Sequence, residues 1–322
     1  MSFQNKKIAI ITGANSGVGL ETVKQLCAQS YGKIILACRT VQKAEQTLAH
    51  LLENGFENEY AILEVDLSSI VSSQKALKTL IKRDEKIDLL ILNACATPAQ
   101  LEKNAIGMEL TFASALLGHH IIAKGLLHEN LLSHDCRIVT SGSEAARGDV
   151  PGMNLPNLEN LVTNKHLGDS FKTFKSLMFP DGAKPHAPMK VYAMTKLSVS
   201  LWTKAFAKKI SEGMIANSIS PGATPQTNLA RHQPWWMRGM MALMKIMGPS
   251  LGMSGSLKQA ADRYLKILEF TKETNGKFWA SKKGKMSGPL VLQSNDYIDN
   301  ATYQESIWDI LEEASTEHII KQ

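Results

Sequence analysis

The chain has 322 residues, with 36 lysines and arginines against 30 acidic residues, for a formal net charge of +6. Its 44% hydrophobic and 20% charged content excludes a disordered chain, and its length allows one large α/β domain or two smaller ones, either with a sizeable core. So mild a charge, with no basic run longer than the KKGK at Lys282 to Lys285, argues against nucleic-acid binding.

Apolar runs and helical patterns alternate from the start. Lys7 to Thr12 reads as a buried strand and Gly17 to Gln29 as a helix. Strands at Lys33 to Cys38, Ala61 to Val65 and Ile87 to Leu92 alternate with helices at Val41 to Asn54 and Ser69 to Lys82. A long helix from about Ile106 to Leu132 precedes a fifth strand at Arg137 to Thr140. Such alternation implies right-handed crossovers and a parallel sheet covered on both faces. The pattern breaks between Gly148 and Pro188, a stretch rich in Pro, Gly, Asn and Lys that reads as an inserted loop region. A helix then spans about Lys190 to Glu212, and a sixth strand Ile215 to Ser220. With no repeat and no linker, a single domain is expected: α/β, a doubly wound parallel sheet of Rossmann-like type.

Cys27, Cys38, Cys95 and Cys136 lack CxxC spacing, which indicates neither a disulfide framework nor a zinc site. The N-terminal MSFQNKKIAIITG is too short for a secretory apolar region and has no small-residue cleavage site. Nowhere do eighteen uncharged apolar residues follow one another. A cytoplasmic protein is the expectation.

Between the first strand and first helix stands Thr12-Gly13-Ala14-Asn15-Ser16-Gly17-Val18-Gly19. Glycines there let backbone N–H groups approach a pyrophosphate at the positive end of the helix. The flanking strand and helix make an otherwise weak pattern informative. The second strand ends in Cys38-Arg39-Thr40, with no carboxylate before Glu45. A guanidinium pairs bidentately with phosphate, so Arg39 argues for NADP(H) over NAD(H), the alternative being an ordinary surface arginine. Asp66-Leu67, ending the third strand, is placed to approach an adenine or to cap the next helix.

Val191-Tyr192-Ala193-Met194-Thr195-Lys196 lies near the start of a helix, so Tyr192 and Lys196 share one face. A free phenol, with pKa near 10, is a poor acid at neutral pH. A neighbouring ammonium favours the phenolate and brings it towards the working range. His119 and His120 sit mid-helix without HExxH spacing, and read as packed helix histidines.

TGANSGVG, Asp66-Leu67, Leu92-Asn93-Ala94, Arg137-Ile138-Val139 through Ser143, YAMTK and Ser220-Pro221-Gly222 occur in the order of the short-chain dehydrogenase/reductase superfamily, which residues 6 to 230 resemble. The resemblance implies Ser143 as the substrate-orienting serine, with Ser141 its rival, Tyr192 as proton donor or acceptor, and Lys196 as its electrostatic partner and ribose holder. It also implies that Asn93 and Ala94 line the cofactor, and that Pro221, Gly222 and Thr227 approach the nicotinamide end.

Ala37-Cys38-Arg39, Gly107-Met108-Glu109-Leu110, Leu117-Gly118-His119 and the long gap from serine to tyrosine (192 − 143 = 49) resemble the retinol dehydrogenase and light-dependent protochlorophyllide reductase branch. Pro156-Asn157-Leu158-Glu159-Asn160-Leu161 and Gly276-Lys277-Phe278-Trp279 look especially like the latter. That likeness implies NADPH and a large apolar substrate. Two departures stand out. Ala115 and Leu116 occupy the places of the branch's Asn–His pair, whose asparagine holds a water in the proton relay. Ala223 replaces the cysteine that follows Pro-Gly in protochlorophyllide reductases.

Met237, Met240, Met241, Met244 and Met247 form a helical row beside Trp235 and Trp236. The segment from about 223 to 256 reads as a substrate lid in which methionine suits irregular ligands, with ordinary core packing as the alternative. Peripheral membrane contact through this row, with Arg238 and Lys245 opposite, is a third reading.

The expectation is therefore an NADP(H)-dependent oxidoreductase acting on a carbonyl or alcohol of a bulky apolar small molecule. A conjugated carbon–carbon double-bond reductase and an NADPH-binding regulatory pseudoenzyme are the alternatives. The resemblance also allows a homodimer through the long fourth and fifth helices.

Overall fold

The computed structural model describes residues 7–29, 31–165, 168–183, 185–224 and 254–316. In the first strand, β1 (Lys7–Thr12), Ala9, Ile10, Ile11 and Thr12 are all buried. A strand covered by helices on both faces requires such a continuous apolar run. The same holds at the ends of β2 (Tyr31–Cys38) and β4 (Ile87–Leu92), and throughout β6 (Ile215–Ile219). With β3 (Glu59–Glu64), β5 (Leu132–Ser141), β7 (Phe278–Ala280) and β8 (Val291–Gln293) they form one eight-stranded sheet in the order β3-β2-β1-β4-β5-β6-β7-β8. All neighbours pair in parallel except β8, which runs antiparallel to β7. The order reverses between β1 and β4. In a doubly wound sheet, the crevice above the carboxyl ends at such a reversal is where ligands bind.

The helices α1 (Gly17–Cys27), α2 (Val41–Glu53) and α3 (Ile70–Arg83) occupy the expected crossovers. The next helix, α4 (Leu110–His128), is shorter than the predicted 106–132 and contains a π-helical stretch, Ala113–Leu117. It is long and apolar enough, by length and composition, to cross a membrane, yet most of it is buried within the fold. The fifth strand begins earlier than predicted, at Leu132, where Leu132 pairs with Ile87.

The 148–188 region is not wholly loop. It contains α5 (Ser170–Met178), capped by the Asp169 carboxylate on the Lys172 N–H, with Phe174 and Met178 buried. Its short apolar period is diluted by Lys172 and Lys175, which hid it in the sequence. The helix α6 (Pro188–Ala207) carries the Tyr–Lys pair. The sequence predicts no helix or strand in the last fifth of the chain, whereas the structure adds β7, β8, α7 (Leu257–Leu265) and α8 (Ala301–Thr316). On α8, Trp308 meets His120 of α4 edge-on at 4.9 Å between centroids, while Trp202 of α6 stacks on Phe206 at 5.0 Å. His120 accepts the Trp202 indole N–H at 3.0 Å.

Candidate active site

The glycine turn after β1 is built from backbone alone. Gly13 and Gly17 have positive φ, +68° and +57°. A Cβ on Gly19 would lie 2.3 Å from the Gly13 carbonyl oxygen, so the helix starts too close to the turn for any side chain. Ser16 caps α1 in extended conformation without spending its side chain on the first-turn N–H groups. The turn with Asn15, Ser16, Gly17, Val18 and Gly19 therefore fits a pyrophosphate at a helix N-terminus.

Across the crevice, Asn93 and Ala94 follow β4. Their N–H groups donate to the Thr12 hydroxyl at 2.8 and 3.0 Å, and the Asn93 amide donates to the Thr12 carbonyl at 2.9 Å. These bonds weld the ends of β1 and β4 at the reversal. His119 supports the weld from α4. Its Nδ1 lies 3.0 Å from the Ala115 carbonyl, which can only accept, so Nδ1 carries the proton and Nε2 accepts from the Thr12 hydroxyl at 2.9 Å. Burial pushes its pKa down to about 4, which keeps the ring neutral. Both His119 and His120 are packed helix histidines.

Arg39 stands exposed at the end of β2, its Nε 3.9 Å from the Asp66 carboxylate. Asp66 does not cap α3. Ser69 does, accepting from the Ser72 N–H, while Asp66 closes a turn onto Ser68 through the N–H at 3.0 Å and the hydroxyl at 2.6 Å. Leu67 is buried behind it. Lys43, in the first turn of α2, lines a shallow depression with Asn15, Leu20 and Gln46. It is a second cation near the turn that sequence reading missed, although its spacing from Arg39 along a helix start was the available signal.

On the substrate side, Ser143 leaves β5 in extended conformation and accepts the Ala145 N–H at 3.2 Å. Its hydroxyl favours the Tyr192 phenolate and so lowers the phenol's pKa, but burial acts more strongly and holds it above the ordinary value. The neighbouring Cys95 thiol pushes in the same direction as burial. The Lys196 ammonium, expected from the sequence to bring the phenol towards the working range, does not do so here, where desolvation governs the phenol. Lys196 lies 5.4 Å from the centre of the Tyr192 ring and is itself buried, with its pKa pushed down by that burial. Its Nζ donates to the Ser141 carbonyl at 2.8 Å and reaches the Ser141 hydroxyl at 3.4 Å. The two serines are thus divided: Ser143 faces the phenol and Ser141 the ammonium.

A model of the short chain dehydrogenase family matches residues 7–155, which contain the turn, the β4 end and Ser143. The chain belongs to the short-chain dehydrogenase/reductase superfamily. Within the superfamily it is similar to human retinol dehydrogenase 13, 26% identical over 288 residues that cover 88% of this chain and 78% of that one. Protochlorophyllide reductase of Chlamydomonas reinhardtii is 26% identical over 317 residues, 95% of this chain and 77% of that one. Among solved structures, a protein from Mycobacterium paratuberculosis superposes with a TM-score of 0.66 at 20% identity, covering 98% of this chain and 95% of the other. A short chain dehydrogenase from Burkholderia cenocepacia J2315 in complex with NADP has a TM-score of 0.58 at 18% identity, covering 85% and 95%. The last two likenesses are of fold.

Of the superfamily positions expected from the sequence, Pro221 and Gly222 follow β6 above the crevice, with Gly222 at φ +79°. Thr227 and the methionine row Met237 to Met247 lie outside the described residues. What sequence reading missed is the layer beneath this superfamily site. Glu144, next to Ser143, accepts from Ser220, from the Ser281 N–H and hydroxyl at 3.0 and 2.8 Å, and from Arg263 at 3.2 Å. Ser220 in turn accepts the Gly222 N–H at 3.0 Å. Arg263 and Tyr264 both come from α7.

Proposed function

We propose that this protein is an NADP(H)-dependent oxidoreductase that acts on the carbonyl or alcohol of a bulky apolar molecule, with Tyr192 as the general acid or base. The observation that carries the reading is the meeting of Ser143, Tyr192 and Lys196 beside a bare glycine turn at a helix N-terminus. The nicotinamide cofactor, when bound, supplies or accepts the hydride. The protein's own residues manage the proton. In the reducing direction Tyr192 donates its proton to the substrate oxygen, and the Ser143 hydroxyl orients that oxygen. Lys196 stabilises the phenolate left behind. The raised pKa of the buried phenol keeps it protonated, the form this direction requires.

Arg39 and Lys43 flank the turn and would hold a 2′-phosphate, while Asp66 and Leu67 would meet the adenine side. The NADP complex of the Burkholderia cenocepacia relative supports the choice of cofactor. Retinol dehydrogenase relatives and the methionine row support an apolar substrate.

The near full-length likeness to protochlorophyllide reductase favours one second reading, reduction of a conjugated carbon–carbon double bond. Ala223 in place of a cysteine weighs against it. The test is NADPH oxidation with all-trans-retinal and long-chain aldehydes and ketones, followed by product identification. Alcohol products are expected. Full turnover by Tyr192→Phe overturns the tyrosine assignment, and products saturated at a carbon–carbon bond establish the second reading.

A further inference from the structure

We infer that Tyr264 is a positioning residue of this enzyme: its phenol pins the Ser141 hydroxyl, and through it holds Lys196 against Tyr192. The inference rests on the function proposed above. Tyr264 sits near the end of α7 with no exposed surface. Its O–H lies 2.8 Å from the Ser141 hydroxyl oxygen and 3.2 Å from the Asn93 amide oxygen, partners 123 and 171 residues away in the chain.

The geometry makes Ser141 a hub. Among the described residues, the hydrogen-bond acceptors of Lys196 Nζ are the carbonyl and hydroxyl oxygens of Ser141. A hydroxyl oxygen has two lone pairs. One accepts the Tyr264 O–H and the other faces the ammonium. Without Tyr264 the Ser141 hydroxyl is free to rotate, and Lys196 keeps only the carbonyl as a fixed partner. The helix across the site offers no substitute. Position 115 of α4 carries a methyl group, and its carbonyl is taken by His119 at 3.0 Å. The Asn93 amide oxygen, 3.2 Å away, is a second acceptor that shares the one phenolic proton, so Tyr264 ties the ends of β4 and β5, the two strands that carry the cofactor side and the proton side of the site.

The groups facing Tyr192 are Cys95 after β4, Glu144 after β5 and Tyr264 of α7, besides Lys196 on its own helix. Cys95 and His119 face Lys196. An ammonium that drifts from Tyr192 favours the phenolate less, so the phenol's pKa rises.

The experiment uses the full chain with NADPH and with decanal and all-trans-retinal as probe substrates. Tyr264→Phe keeps the ring and removes only the O–H. It is expected to keep the thermal midpoint near wild type and lower kcat on the order of tenfold, as a small misplacement at a reacting centre does. The alkaline limb of kcat should move up. Ser141→Ala should do the same, and the double variant should be no worse than the poorer single variant. The same cycle is read independently as the NADPH dissociation constant by fluorescence titration, where the two losses should again fail to multiply. Multiplicative losses in either readout overturn the inference. So does a Tyr264→Phe enzyme with wild-type kcat and pH profile while Tyr192→Phe is inactive, a result that leaves the proposed function standing. Full turnover by Tyr192→Phe removes both.

Discussion

The Glu144 carboxylate and the Arg263 guanidinium lie 3.2 Å apart, both buried, directly under the Pro221–Gly222 turn. A Cβ on Gly222 would sit 2.4 Å from Arg263 Nη1, so the turn rests on the guanidinium itself. With Ser220 and Ser281 the pair joins the ends of β5, β6 and β7 one residue from Ser143.

Removing one member of a buried pair strands the other charge, at a cost of roughly 3–5 kcal/mol. Arg263→Met is therefore expected to lower the stability by about that much in urea denaturation, with the midpoint moving and the slope unchanged. The double variant Glu144→Gln with Arg263→Met should recover a large part of the loss. A double variant as unstable as the sum of the singles contradicts the pairing.

His119 makes stability depend on pH. Its folded-state pKa of about 4 lies below the ordinary 6.5, so the unfolded chain binds the proton more readily between these values. The contribution is complete above pH 6.5 and drains away as the pH falls towards 4. Its size is on the order of 3 kcal/mol. Chemical denaturation at a series of pH values should show a shallower decline for His119→Gln than for wild type across this window. Equal slopes would show that His119 does not titrate there.

The glycine turn is intolerant of a single methyl group. Gly19→Ala places a Cβ against the Gly13 carbonyl, and backbone rather than a flexible side chain must yield. NADPH affinity is expected to fall at least on the order of tenfold, because the turn and helix separate where backbone N–H groups must meet the pyrophosphate. Isothermal titration with NADPH measures this. Unchanged affinity would remove the turn from the cofactor site.

Cofactor choice should follow Arg39. A charge-assisted hydrogen bond is worth about 1.5–3 kcal/mol, so Arg39→Ala should weaken NADPH binding on the order of tenfold to a hundredfold while NADH binding changes little. Competitive binding of the two nucleotides reads the ratio. Equal weakening of both would make Arg39 a general support of the fold.

The elements legible in the sequence were those whose signal is local. Six strands of the sheet, the glycine turn, and the Tyr192–Lys196 spacing on one helix face are patterns within a few residues, set by backbone sterics and side-chain period. The helix at 170–178 is hidden because it is short and its apolar positions are interrupted by lysines and serines, and the strands at 278–280 and 291–293 because three residues are too few to show a period. The Asp66 alternative of a helix cap failed for a similar reason: Ser69 stands nearer the first helical turn and competes successfully.

Sequence alone was enough for the parallel architecture and for the residue types that could carry a hydride-transfer site, since those follow from periodicity and from chemistry written into short motifs. It left open what steadies Lys196 where Ala115 replaces an amide, and what lies beneath the Pro–Gly turn. Those answers depend on Arg263 and Tyr264, which reach Glu144 and Ser141 across 119 and 123 residues of chain. No periodicity encodes such a meeting. It arises when α7 packs against the completed sheet and buried polar atoms must find partners where water is excluded.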